Sequence, residues 1–224
     1  MSTNFYSQFM TKSDVVFDIG ANVGDKAAIF SNLVRAVIAV EPQKKCVEDL
    51  KKRFLGTNVI VMDKAVGERK CISMLKRSEE MTTTASLSGR FIKDVQASGR
   101  FGNRWKAYEY VDVITLDDLV DDYGVPAFIK IDVEGFEPEV VRGLSQPVKA
   151  LSFEFHPEVL YMTEEVFKHA ETLGSFETNY AIGNEFTKLE LVAWVQPGDL
   201  LKELKKLVGN NSIMGDIYIR WKTQ

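Results

Sequence analysis

The sequence predicts an α/β chain: a largely parallel sheet with helices on both faces. Three observations lead there. From Asp14 onward short β-branched runs alternate with amphipathic stretches, the rhythm of a parallel sheet covered by helices. The first run, Val15-Val16-Phe17-Asp18-Ile19, is apolar at consecutive rather than alternate positions, as in a strand buried on both sides. It then ends in a glycine turn that opens a helix.

The elements follow in order. A second strand over Ala36 to Val40 closes at Glu41-Pro42, and Val47, Leu50 and Phe54 then mark one face of a helix. Val59 to Met62 makes the third strand. Thr115 caps a short helix with Leu116, Leu119, Val120 and Tyr123 on one face, stopped by Gly124 and Pro126. Lys130 falls inside the fourth strand, Phe128 to Ile131, which ends at Asp132-Val133-Glu134-Gly135. Pro138 suits the first turn of the next helix, where its missing N–H has no partner to lose. The fifth strand, Ala150 to Phe155, ends at His156-Pro157. Thr163 is read as the cap of a helix burying Val166, Ala170 and Leu173, followed by extended segments at Phe176 to Ile182 and Leu189 to Val195. A last helix buries Leu200, Leu204, Leu207 and Val208 and stops at Gly209, and Ile217 to Trp221 completes the sheet edge.

The 224 residues suit one domain, and 45 % hydrophobic with 27 % charged residues excludes disorder and coiled coil. With 28 basic and 32 acidic residues the net charge is −4, which argues against nucleic acid or an anionic membrane as partner. Two cysteines, Cys46 and Cys71, build neither a disulfide framework nor a four-ligand zinc site. The polar opening stretch and the lack of a long apolar window point to a soluble, cytoplasmic protein.

One segment breaks the rhythm. Between Lys76 and Tyr110 lie Thr82-Thr83-Thr84, Ser86, Ser88-Gly89, Ser98-Gly99 and Gly102, read as an inserted loop or mobile flap. From Arg69 to Lys106 nine basic residues stand against three acids, so the segment is locally cationic. Its Arg77, Arg90, Phe91, Arg100, Phe101, Arg104 and Trp105 combine cations with aromatic faces that would close over a sugar and grip a phosphate on it.

In an open parallel sheet, ligands bind beyond the carboxyl ends of the strands, where strand order reverses. Those ends carry Asp18, Glu41, Asp63, Asp132 with Glu134, and Glu154 with His156. In the turn Asp18-Ile19-Gly20-Ala21-Asn22-Val23-Gly24, the two glycines admit a close ligand and Asn22 tolerates a left-handed backbone. The glycines are four apart, unlike a dinucleotide GxGxxG, which demotes nicotinamide cofactors. Glu41 ends the second strand, where a carboxylate accepts hydrogen bonds from a ribose diol, so the ligand reads as a nucleoside.

The runs Phe17 to Gly24, Val40-Glu41-Pro42, Ala65-Val66-Gly67 and Ile129 to Gly135 with Arg142-Gly143 resemble the FkbM family of S-adenosylmethionine-dependent methyltransferases, over about Asp14 to His156. The resemblance implies a Rossmann-like class I methyltransferase fold: seven principal strands, mostly parallel, the last antiparallel. It also implies O-methylation of a hydroxyl on a sugar or other small molecule. Carried over to this chain, it places the methionine part of the cofactor near Asp18, Gly20 and Gly24, with Ala21 and Asn22 beside it. The ribose falls on Glu41 next to Pro42, and adenine near Asp63 and the backbone of Ala65. The rim carboxylates agree, since they complement a sulfonium cation and would repel a pyrophosphate.

A hydroxyl needs a base for its proton, or a metal that lowers its pKa. His156, at a strand end and suited to neutral pH, is the first candidate, with Asp132 and Glu134 beside it. Glu134 has a second reading, as the cap of the following helix. A divalent metal held by Asp132, Glu154 and His156 ranks below plain acid/base assistance. The acceptor is read as a small molecule or carbohydrate. Two other classes stay in view: a nicotinamide-dependent oxidoreductase on the same sheet, and a nucleoside-binding protein without catalysis.

Overall fold

The structure is a computed structural model that describes residues 5–78, 81–99, 105–183, 188–210 and 213–222. Its centre is a seven-stranded sheet with the order β3-β2-β1-β7-β8-β10-β9. The strands are β1 (Val15–Ile19), β2 (Ala36–Glu41), β3 (Val59–Asp63), β7 (Phe128–Ile131), β8 (Ala150–Phe155), β9 (Phe176–Ile182) and β10 (Gly215–Trp221). β1, β2, β3, β7 and β8 run parallel, while β10 is antiparallel to both β8 and β9. Strand order reverses at β1, which pairs with β2 on one side and β7 on the other. The fold is thus a Rossmann-like doubly wound sheet with an antiparallel last strand, as the resemblance implies.

All five residues of β1 are buried, because the sheet is covered on both faces. Phe17 and Ile19 pack with Ile129, Leu151, Phe153 and Val166 on one face. Val16 packs with Tyr6, Phe9, Phe30, Phe128 and Tyr218 on the other. The helices are α1 (Asp25–Ser31), α2 (Lys44–Arg53), α3 (Gly89–Ala97), α4 (Leu116–Tyr123), α5 (Glu137–Arg142), α6 (Leu160–Leu173) and α7 (Pro197–Lys205). Thr115 caps α4 through a reciprocal pair with Asp118, and Pro138 sits in the first turn of α5, as their positions in the sequence predict.

Ile217 to Trp221 does not complete the sheet edge, because β10 lies between β8 and β9 and β9 is the edge strand; four other expectations also change. The stretch expected as a loop or flap, about 76–110, begins in β5 (Cys71–Arg77) and ends in β6 (Ala107–Ile114), with α3 between them. β5, β6 and β4 (Ala65–Val66) form a second sheet in the order β4-β6-β5. Ser88 caps α3 by accepting from Phe91 N, and Phe91, Ile92 and Val95 are buried. Small polar residues in this segment are therefore capping and turn chemistry around a packed helix, not the mark of a loose insertion. Second, Leu189 to Val195 forms no strand: Val195 makes one isolated bridge to Thr178, and Asn179 bonds the backbone of Leu191. Third, Thr163 lies inside α6 instead of capping it, and is buried. Fourth, Val208 is exposed beyond the end of α7, whereas Leu200 and Leu204 are buried as expected. No helix among the described residues is long and apolar enough to cross a membrane. Cys46 and Cys71 are free thiols.

Candidate active site

A cleft of about 290 Å³ opens where strand order reverses, at the carboxyl ends of β1, β2 and β7. Asp18, Gly20, Ala21, Asn22, Glu41, Pro42 and Ala65 line it, together with Asp132, Glu134 and Glu154. The β1 turn is built by close approach. Gly20 sits at φ +80°, and a Cβ there would lie 1.8 Å from the carbonyl oxygen of Asp132. Asp132 N in turn donates to Ile19 O at 2.9 Å, so the ends of β1 and β7 are fused at this point.

Asn22 adopts φ +48°, and its backbone N–H donates to Glu41 Oε2 at 2.9 Å. Glu41 Oε1 accepts from Gln43 N at 2.8 Å. Glu41 is only 2 % exposed, and burial raises its pKa against those two backbone bonds. A carboxylate has about four lone-pair sites, so two backbone donors leave acceptor capacity for a ligand diol.

Two residues of the expected cofactor set lie elsewhere. Asp63 is exposed and outside the cleft lining. Gly24 also lies outside it, and its missing Cβ makes room for Phe54 and Leu50 of the neighbouring helix. Its glycine serves packing between helices.

The cleft floor holds a buried charge network that sequence reasoning did not single out. Register sets Asp18 opposite Lys130, and Asp216 opposite Glu154. Lys130 Nζ stands 3.2 Å from Asp132 Oδ2 and 3.2 Å from Asp216 Oδ2. Burial alone would lower the Lys130 pKa, but Asp132 and Asp216 hold it well above the usual value. Burial pushes Asp18 up to about 7 and Asp216 up to about 6, with Lys130 opposing both shifts. Asp18 Oδ2 is buried and has no hydrogen-bond partner. Lys26, at the start of α1, also lines the cleft. The one legible signal for Lys130 was its charge in the middle of an otherwise apolar buried strand, which requires a partner.

The acceptor side is the turn after β7. Glu134 takes φ +51° and Gly135 φ +83°. Glu137, not Glu134, ties this turn to the helix: its Oε1 accepts from Val133 N and Gly135 N, both at 3.2 Å. Glu134 is left facing the cleft, and burial with the nearby Glu154 and Asp132 raises its pKa well above the usual value. The Asp132 side chain stays 41 % exposed, open to the cleft while held by Lys130.

His156 does not line the cleft. It is 4 % exposed, packs against the Phe91 ring at 5.5 Å, and sits in a small separate cavity with Met162 and Val166. Its Nε2 lies 3.2 Å from Glu154 Oε2, so Glu154 stands between the imidazole and the cleft. The packed α3 forces this arrangement: Phe91 fills the space beside Gly135, where a Cβ would meet its Cγ at 2.1 Å.

The remaining flap residues divide. Arg77 pairs with Glu109 at 3.7 Å, and Arg90 pairs with Glu165 at 2.5 Å. Trp105 Nε1 donates to Thr84 O at 2.5 Å. Arg77 and Trp105 thus hold the segment together, and Arg90 ties it to α6. Arg100, Phe101 and Arg104 lie outside the described residues. Among its described residues, the segment brings Thr82, Thr83, Ala85 and Leu87 to the cleft.

A model of the methyltransferase FkbM domain matches residues 18–177, most of the chain and all of the cleft turns from Asp18 to His156. The chain belongs to the FkbM methyltransferase family. This is a family of S-adenosylmethionine-dependent methyltransferases. The FkbM chain is similar in fold to a methyltransferase FkbM from Methylobacillus flagellatus KT, with 17 % identity and a TM-score of 0.50. That match covers 96 % of this chain but 47 % of the other, so the chain spans about half the length of that relative. It is also similar in fold to a precorrin-6y C5,15-methyltransferase from Geobacter metallireducens GS-15, at 13 % identity and a TM-score of 0.50, covering 99 % and 87 % of the two chains. No curated protein sequence matches the chain.

Proposed function

We propose that the protein transfers a methyl group from S-adenosylmethionine to a hydroxyl of a small molecule, with a sugar or glycoside as the favoured class. The observation that carries this reading is one cleft with two chemically distinct ends: a nucleoside seat at Asn22 and Glu41, and a carboxylate wall of Asp132, Glu134 and Glu154. The seat fits the cofactor. Asp18 has an unpartnered, buried oxygen for an ammonium or sulfonium, Lys26 suits the methionine carboxylate, and Glu41 retains acceptor capacity for the ribose. Bound there, S-adenosylmethionine supplies an electrophilic methyl carbon, whose bond to sulfur breaks as the bond to the acceptor oxygen forms, leaving neutral S-adenosylhomocysteine.

The chain's own residues do the rest. The β1 turn and Glu41 fix the donor, so that the acceptor is held in line with it, which is the main source of acceleration in such a displacement. Asp132, accessible and oriented by Lys130, takes the hydroxyl proton. His156 holds Glu154 in place and is a positioning residue. Thr82, Thr83 and Leu87 line the cleft and take up part of the wall that water would otherwise reach. A wall of carboxylates disfavours a nucleic-acid acceptor, whose phosphates it would repel, and the same argument counts against a nicotinamide dinucleotide.

Calorimetric titration with S-adenosylhomocysteine and, in parallel, NAD tests the seat. The homocysteine compound is expected to bind and NAD to fail. The hydroxyl reading is tested by following methyl transfer to a panel of glycosides and matched amines. Transfer to amines alone would overturn it, and binding with no transfer to any compound that also survives Asp132→Asn would favour a non-catalytic nucleoside-binding protein.

A further inference from the structure

We propose that Glu134, Glu154 and His156 form a divalent-metal site at the acceptor end of the cleft, suited to Mn²⁺ or Mg²⁺ through one imidazole nitrogen and two carboxylate oxygens. One potential ligand atom from each of the three lies within 4.8 Å of the others. Two ligands at right angles on one such metal, each about 2.1–2.2 Å from it, are about 3 Å apart. His156 Nε2 and Glu154 Oε2 are already 3.2 Å apart, with both side chains at least nine-tenths buried.

A second observation points the same way. Glu134 Oε2 is sealed from solvent and has no hydrogen-bond partner. The backbone at Glu134 takes φ +51°, a left-handed conformation that a non-glycine residue rarely adopts. Its carbonyl is held as well, by Ser86 Oγ donating at 2.6 Å. The turn thus pins a bare carboxylate against a second carboxylate and an imidazole.

Charge gives the third argument. Asp18, Asp132, Glu134, Glu154 and Asp216 converge on a cleft whose floor and wall supply Lys26, Lys130 and, at the rim, Lys64, the last already paired with Asp112. Crowded carboxylates with too few cations are the setting in which a divalent ion is bound.

The site rests on the proposed methyl transfer only for its use. A metal there would leave open positions toward the cleft for the acceptor oxygen, making its proton easier to lose to Asp132. It also accounts for a buried His156 that never reaches the cleft itself.

The test is titration of the metal-free 224-residue chain with Mn²⁺, reading the free ion by electron paramagnetic resonance. About one ion per chain is expected, with binding weakened at least tenfold in both His156→Ala and Glu134→Gln. Circular dichroism checks that each variant is folded, and Glu134→Gln, on a partly exposed turn, serves if His156→Ala does not fold. A wild-type chain that leaves the free Mn²⁺ signal unchanged overturns the site, as does binding that both folded variants retain undiminished. S-adenosylhomocysteine titrated into the same metal-free protein reports the cofactor seat separately. Its binding without Mn²⁺ uptake removes the metal and keeps the methyltransferase reading, whereas Mn²⁺ uptake without it keeps the site.

Discussion

Replacing Gly20 by alanine adds one methyl group at the point where the ends of β1 and β7 meet. Two costs arise. The backbone stays at φ +80°, which costs an L-residue about 1–2 kcal/mol. The new Cβ would also lie 1.8 Å from the Asp132 carbonyl oxygen, backbone against backbone, so the strand ends must part. Overpacking of that kind costs about 1–3 kcal/mol, giving a total of about 2–5 kcal/mol. For a chain of this size each kcal/mol lowers Tm by about 2–4 °C, so a fall of about 4–20 °C is expected. Gly56→Ala is the control, since Gly56 has φ +76° with nothing within 4 Å of an added Cβ. It carries the backbone cost alone, about 1–2 kcal/mol. Thermal unfolding of both variants, with S-adenosylhomocysteine titration of each, separates the two contributions. Gly20→Ala is expected to weaken the ligand because Asp132 must move, while Gly56→Ala leaves it bound as before. Equal Tm losses with equal ligand affinity would refute the idea that this contact shapes the cleft.

Three further outcomes are expected. Asp18 titrates near 7 when folded against about 4 when unfolded, so its contribution to stability is full below about pH 4 and is lost as pH rises through about 7. The ammonium group of S-adenosylhomocysteine prefers the ionised form of Asp18, so this ligand should bind more tightly as pH rises to about 7, by at most about tenfold per unit, and Asp18→Asn should flatten that profile. Glu41→Gln removes a charged acceptor from the ribose seat and should weaken the same ligand about 10- to 100-fold by calorimetry; an unchanged Kd would move the nucleoside away from β2. Phe91→Ala should cost about 3–5 kcal/mol in urea unfolding, because the ring is fully buried against Gly135; a cost under about 1 kcal/mol would restore the flap as a loose loop.

Local rules carried much of the architecture into the sequence. A doubly buried strand shows as a continuous apolar run, so β1, β2, β7 and β8 were legible with small shifts at their ends. Turn chemistry is equally local: a glycine-rich turn after β1 and an acid closing β2 marked where a ligand sits, and Asn22 N–H on Glu41 joins them. The α3 segment was misread for the same reason, since serines and glycines that cap a short helix look like those of a loop until the aromatic ring between them is seen to be buried.

The sequence by itself determined the strands of the parallel half, the ligand-binding rim and the family resemblance. Only the tertiary structure decided which rim residues face the cleft. Asp63 and His156 end their strands much as Glu41 and Glu154 do, yet one lies in solvent and the other behind Glu154. The partnership of Lys130 with Asp216, 86 residues away, exists because β10 pairs antiparallel to β8 in one register. Period and turn propensity act over a few residues, whereas register and packing are set by contacts between segments far apart in the chain, and the charges of this cleft are assembled by the latter.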